Sequence, residues 1–229
     1  MKIISTRKLR RRWTNMVRRL VFGSYSQYGE DLIIDAIVGK EKLFYVDIGA
    51  NHPINLSNTY RFYRRGGTGI NIEPDPTVFP LLASCRTKDI NLQIGVSTLE
   101  RVLPFYRMSA NTLSTFNKAD ADSHDDYQIN EVIQVPVRPL AAILSDHIPS
   151  GGIDFMSIDA EGYEMEIIES NNWERFRPLV LMLEINRNEQ KLVDFMERLD
   201  YALVVNNETN GIFLDCRARR SSASTKALT

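Results

Sequence analysis

Four acids stand at or beside the ends of short apolar runs: Asp47 in L-F-Y-V-D-I at 43–48, Glu73 after G-I-N-I at 69–72, Asp159 after the run 153–158, and Glu184 after 179–183. In an open α/β sheet the carboxyl ends of parallel strands face the ligand crevice, so runs of this kind would bring the four carboxylates to one rim. A core cannot hold them, because an unpaired buried carboxylate is strongly destabilising. Any one of them could cap the next helix or pair with an arginine; four together point to a site.

The turn after the first run narrows the ligand. Phosphate-bearing nucleotides ask for G-x-G-x-x-G or G-x-x-x-x-G-K-S/T, so that backbone amides can approach the phosphates. Residues 47–53 are D-I-G-A-N-H-P, with one glycine and no lysine. A nucleoside that lacks phosphates and carries its own positive centre, such as S-adenosylmethionine, suits this turn and tolerates nearby acids. Glu73, 26 residues after Asp47, is placed to accept both ribose hydroxyls. The residues by themselves favour a methyltransferase, with an unusual nicotinamide enzyme or a non-enzymatic role as alternatives.

The elements that must position these groups alternate. A strand at 43–48 leads to a helix over 57–65 closed by Gly66 and Gly67, a strand at 69–72 stopped by Glu73-Pro74, a helix over 77–85 and a strand over 90–96. The alternation resumes with a helix from Leu140, a strand at 153–158, a helix over 161–170, a strand at 179–183, a helix over 190–199, and a hairpin of 201–205 with 211–214. The fold class is α/β, a mainly parallel sheet with helices on both faces. Between 100 and 137 two weakly alternating segments, 102–107 and 132–137, flank a polar stretch, 114–130, with His124 and four aspartates. That stretch is expected to be a small β insertion with a long exposed loop, suited to a substrate lid. The expected organisation is a basic amphipathic helix over 1–24, a catalytic body over 25–216 with its insertion at about 100–137, and a disordered polar tail over 217–229.

The 229 residues carry 28 basic and 29 acidic side chains, unevenly spread. The first twenty hold eight basic and no acidic residues, and 217–229 hold four and none, which leaves the body at −13. Such a body is a poor nucleic-acid binder, because backbone binding needs clustered Lys and Arg. Cys85 and Cys216 are too few for a zinc or disulfide framework and fit a reduced, cytoplasmic compartment. No apolar stretch approaches a membrane span, and no cleavable leader pattern is present. Over 7–22, Leu9, Trp13, Met16 or Val17, Leu20 and Val21 fall on one helical face among arginines. The expectation is a helix docked on the body with its basic side solvated; peripheral contact with an anionic inner-membrane surface is the alternative.

The same residues give the chain a resemblance to the FkbM-type family of S-adenosylmethionine-dependent methyltransferases. Its carriers are S-Q-Y-G-E-D at 26–31, V-D-I-G-A-N at 46–51, S-N-T-Y at 57–60, G-I-N-I-E-P-D-P at 69–76, N-T-L-S-T at 111–115, I-D-A-E-G-Y-E at 158–164 and L-E at 183–184. The resemblance implies a class I, Rossmann-like methyltransferase with a seven-stranded sheet whose last strand is antiparallel. It also implies O-methylation of a hydroxyl on a sugar, glycan or polyol-type natural product. On this sequence it implies that Asp47, Gly49 and Asn51 line the methionine end of the cofactor, that Glu73 holds the ribose, and that Gln27, Glu30 and Asp31 close over the pocket. Asn91 to Val96 would pass the adenine, and Asp159 with Glu161 would face the acceptor. Two positions depart from the family pattern: His52-Pro53 follow G-A-N, where a second glycine or an aspartate is common, and Gly67 stands where a tryptophan is common.

An alcohol is a weak nucleophile and needs a base within hydrogen-bond reach. Asp159 is the first candidate, with Glu184 behind it and His52 beside the cofactor turn. Asp159, Glu161 and Glu184 could instead hold a divalent cation such as magnesium on hard oxygen ligands. The acidity of 114–130 disfavours phosphorylated or nucleic-acid acceptors and suits a neutral small molecule or glycan. A methyltransferase scaffold that binds without catalysing is the opposing reading.

Overall fold

The computed structural model describes residues 17–148 and 152–218. Past a helical stretch at 17–22, the chain forms α1 (Glu30–Val38), β1 (Phe44–Ile48), α2 (Tyr60–Arg64), β2 (Thr68–Ile72), α3 (Phe79–Cys85) and β3 (Ile90–Leu92). An excursion follows, made of β4 (Gly95–Val96), β5 (Arg101–Met108), α4 (Lys118–Asp122) and β6 (Ile129–Arg138). The chain returns through α5 (Leu140–His147), β7 (Phe155–Ile158), α6 (Glu164–Glu169), β8 (Val180–Glu184), α7 (Glu189–Arg198), β9 (Tyr201–Asn206) and β10 (Asn210–Asp215).

The main sheet has seven strands in the order β3-β2-β1-β7-β8-β10-β9. β1 pairs in parallel with β2 and β7, and only β10 runs against its neighbours. This is the class I methyltransferase-like arrangement, with the reversal at the expected strand. Its strands are apolar almost throughout because both faces are covered. Val46, Ile48, Leu181 and Leu183 pack on one face with Leu140 and Ile143 of α5 and Leu192 of α7. Tyr45, Val180 and Met182, one residue out of phase, pack on the other with Ile34 of α1 and Phe62 of α2. Each fully buried aliphatic side chain of this kind contributes about 1.5–3 kcal/mol.

Three expectations change. The single strand over 90–96 is two strands: β3 edges the main sheet, whereas β4 turns away to pair with β6 in a second sheet of order β4-β6-β5. Glycine permits that departure, since a Cβ at Gly95 would lie 2.4 Å from the Phe116 ring. The stretch 114–130 is a folded segment and not one long open loop: Thr115 bridges to Tyr106, and Asn117 caps α4 by accepting from the amides of Ala119 and Asp120. Residues 217 and 218 are helical, with Arg217 paired to Glu174 and Asp200, so the described chain runs two residues into the expected tail. The rest of that tail and residues 1–16 of the amphipathic segment lie outside the described residues. At Gly67 a Cβ would meet the Leu43 carbonyl at 2.8 Å, so this turn is closed by backbone where the family pattern has a tryptophan.

Candidate active site

The carboxyl ends of β1, β2, β7 and β8 open on one cleft of about 880 Å³, and Asp47, Glu73, Asp159 and Glu184 all line it. That volume lies in the range of small-molecule sites.

On the β1 and β2 side the chain is held by backbone contacts that few residues tolerate. Gly49 has φ +76°, and a Cβ there would sit 1.9 Å from the carbonyl oxygen of Asp159, so the turn after β1 rests directly on the acid after β7. Asn51, at φ +46°, donates its amide to Glu73 Oε2 at 2.7 Å, and the Asp75 amide donates to Oε1 at 2.8 Å. Each carboxylate oxygen keeps a further lone pair, as a ribose diol requires. Burial pushes the Glu73 carboxyl up to about 7, against the pull of the two amides.

Asp47 is supported from behind. Thr59 Oγ1 donates to its Oδ2 at 2.6 Å and accepts from Arg86 Nη2 at 3.1 Å. The Arg86 side chain is 1 % exposed, lies 3.6 Å from the Asp89 carboxylate, and donates to the Pro53 carbonyl and to Ser57 Oγ. One buried guanidinium thereby pins the 53–59 loop against the β1 and β2 side of the cleft. Burial raises the Asp47 carboxyl above its ordinary range; the Thr59 hydrogen bond and the Arg86 charge oppose that rise.

On the β7 and β8 side Asp159, Glu161 and Glu184 each place an oxygen within 4.8 Å of the others. Glu161 has φ +51° and pairs with Arg187 Nη2 at 3.2 Å. Glu184 accepts from Asn186 through Oε1 at 2.7 Å, while its Oε2 is buried with no hydrogen-bond partner among the described residues. The half-buried Asp159 carboxyl takes no hydrogen bond from the described residues. Burial, then the charges of Glu184 and Glu161, raises Asp159 well above its ordinary value. Burial, then Glu184, brings Glu161 to about 8. Glu164, whose Oε1 accepts the amides of Ala160 and Gly162, is raised to about 7 by burial and then by Glu184. Carboxyls this close cannot all ionise unless more positive charge than the Arg187 guanidinium lies among them.

These raised values have a consequence for stability. Glu73, Glu161 and Glu164 titrate near 7 to 8 when folded and near 4.5 in a free chain, so the folded state holds more protons in between. Stability falls as pH rises through that interval and levels off above it. Thermal melting in chelator without cofactor is expected to drop by several degrees between about pH 5 and 8; a midpoint that climbs across the window contradicts the assignment.

The insertion closes the cleft from above and ties its two sides together. Thr115 Oγ1 donates to the Glu161 carbonyl at 2.8 Å, Asn117 Nδ2 to the Gly162 carbonyl at 3.3 Å, and Asn51 Nδ2 to the Asn111 carbonyl at 3.4 Å. Phe105, Phe116 and Tyr163 form an aromatic wall, with ring centroids 4.8 and 5.6 Å apart in succession.

Several expected residues have other work. Gln27 lines the cleft, but Glu30 and Asp31 do not. Asp31 accepts from Ser24, Ser26 and the Tyr25 amide, and Glu30 accepts from the Tyr28 amide, Asn207 and Asn210. Both acids anchor the start of α1, and neither is a pocket lid. Ile94, Gly95 and Val96 line the cleft, whereas Asn91 lies behind it, donating to the carbonyls of Arg86 and Asp89. His52 lines the cleft, but its Nδ1 accepts the amides of Ile54 and Asn55 and its Nε2 lies 3.1 Å from Asn55 Nδ2. The ring is committed to its own turn, which corrects its candidacy as a base. Arg187 was not expected in the site; its only signal is a basic residue three positions after the β8 acid.

Residues 47–203 match the family model described as the Methyltransferase FkbM domain. No curated protein matches the chain. Solved structures similar to it include a TehB-like SAM-dependent methyltransferase from Corynebacterium glutamicum (12 % identity, 92 % of this chain, 100 % of that one, TM-score 0.44). A methyltransferase from Geobacter sulfurreducens is similar at 10 % identity, 94 % and 90 % coverage and TM-score 0.45. The O-methyltransferase from Bacillus cereus in complex with SAH is similar at 11 %, 93 % of each chain and 0.42.

Proposed function

The chain belongs to the FkbM methyltransferase family and is an S-adenosylmethionine-dependent enzyme, and from that premise we propose that it methylates a hydroxyl of a neutral sugar, glycan or other polyol, with Asp159 as the base. The observation that carries this reading is the Asp159 carboxyl, half-buried in the cleft, without a hydrogen bond from the described residues, and joined through its own backbone to the turn at Gly49. When bound, S-adenosylmethionine supplies a methyl group on a sulfonium, which departs as the neutral thioether S-adenosylhomocysteine. Glu73 holds the ribose, and the Asp47–Asn51 turn holds the methionine end. Asp159 takes the proton that the acceptor hydroxyl loses as its oxygen bonds to the methyl carbon. Alignment in the closed cleft supplies much of the rate. Because Asp120, Glu161 and Glu184 already face the guanidinium of Arg187, an anionic acceptor finds no uncompensated positive charge there, and a neutral one needs none.

A second reading rests on Glu184 Oε2, which is buried without a hydrogen-bond partner among the described residues. Asp159, Glu161 and Glu184 fit a divalent cation such as magnesium, which would orient the acceptor hydroxyl and lower its pKa. Transfer of labelled methyl from S-adenosylmethionine to a panel of neutral sugars, phosphorylated sugars and nucleic acids, with and without exhaustive chelation, tests both. Transfer that survives chelation supports the base alone, loss restored by magnesium supports the cation, and transfer only to phosphorylated or nucleic-acid acceptors contradicts the proposed class.

A further inference from the structure

The helical stretch at 17–22 has the reverse of the expected sidedness. Val17, Leu20 and Val21 share a face at i, i+3 and i+4 spacing, and with Phe22 they are between 48 and 76 % exposed. The arginines between them turn to the body instead. Arg18 Nη1 donates to the Gln27 carbonyl at 3.1 Å; Arg19 Nη1 reaches Asn55 Oδ1 at 3.4 Å, and its guanidinium carbon lies 5.2 Å from the Tyr25 ring centroid. A helix resting on a domain buries its apolar stripe; this one is fastened by its polar groups and leaves four large apolar side chains in water, as an interaction surface does.

We propose that this face docks on the surface of an anionic lipid bilayer. Charge selects the occupant. The first twenty residues hold eight Lys and Arg and no acid, whereas 21–216 carry a net −13, so an anionic surface attracts this corner and repels the rest, which fixes the orientation. A bilayer also offers apolar depth for Leu20 and Phe22, and its negative surface attracts the basic sequence that leads into them. A second copy of the chain would set two basic segments against each other. No helix among the described residues is long and apolar enough to cross a membrane, and lying on the surface requires none. Gln27 and Asn55, the partners of the two arginines, line the cleft, so the stretch is fastened at the cleft rim.

The test is co-sedimentation of the full chain with vesicles of phosphatidylcholine alone and of phosphatidylcholine with about 30 % phosphatidylglycerol. Binding is expected to the anionic vesicles only. It should weaken at least tenfold in about 0.5 M salt and at least tenfold for the double variant Leu20→Glu with Phe22→Glu, whose melting midpoint stays that of the wild type. Absence of binding to anionic vesicles, equal binding by the folded double variant, or a dimer in lipid-free solution that the same variant dissolves would each overturn the proposal, the last in favour of a second copy.

Discussion

Replacing Glu73 with alanine is expected to weaken S-adenosylmethionine binding about 100-fold. Its carboxylate, which we propose holds the ribose diol, is fixed from both sides by the amides of Asn51 and Asp75. A hydrogen bond to a charged acceptor contributes about 1.5–3 kcal/mol, and two such bonds to one ribose, partly offset by the desolvation of a group that titrates near 7, leave about 3 kcal/mol, or two decades of affinity. The substitution also frees the two amides that hold the β1 and β2 turns together, so Glu73→Gln, which keeps the shape, is the companion variant and should lose roughly tenfold. Calorimetric titration checks both. An alanine variant that binds as the wild type does removes Glu73 from the site.

Asp159→Asn should lower kcat by about 10²–10⁴-fold, the range of general-base catalysis, while cofactor affinity stays within about threefold. Asparagine keeps the contact between the 159 carbonyl and Gly49, because that contact is backbone. The pH profile separates this role from a structural one. In the wild type the rate rises with pH as the carboxyl ionises, through an apparent pKa well above that of an ordinary aspartate, since burial and then Glu184 and Glu161 raise it. In Asp159→Asn that limb should disappear. An Asn variant with wild-type kcat and an unchanged profile would place the base elsewhere.

The scaffold was legible in the sequence because parallel strands covered on both faces must be apolar along their length and must end at the crevice, and L-F-Y-V-D-I and its counterparts do both. The convergence of Asp47, Glu73, Asp159 and Glu184 follows from that alone. What could not be read off depended on partners far along the chain. Glu30 and Asp31 look like pocket acids until Ser24, Ser26, Asn207 and Asn210 are seen to satisfy them. Asn91 looks like an adenine contact until β3 turns it toward Arg86. The split of 90–96 was hidden because the second half finds its partner, β6, some forty residues later. Arg86, fully buried under the 53–59 loop, gives no local signal: an arginine in sequence suggests surface, and only the surrounding oxygens of Pro53, Ser57, Thr59 and Tyr45 account for its place.

Diffraction from crystals grown with S-adenosylhomocysteine decides whether the cleft is the cofactor site. The adenosine ribose is expected on the Glu73 carboxylate, with the sulfur end at the Asp47–Asn51 turn and within reach of Asp159. A nucleoside bound elsewhere, or a cleft filled by side chains with Glu73 and Asp159 on separate walls, would contradict it.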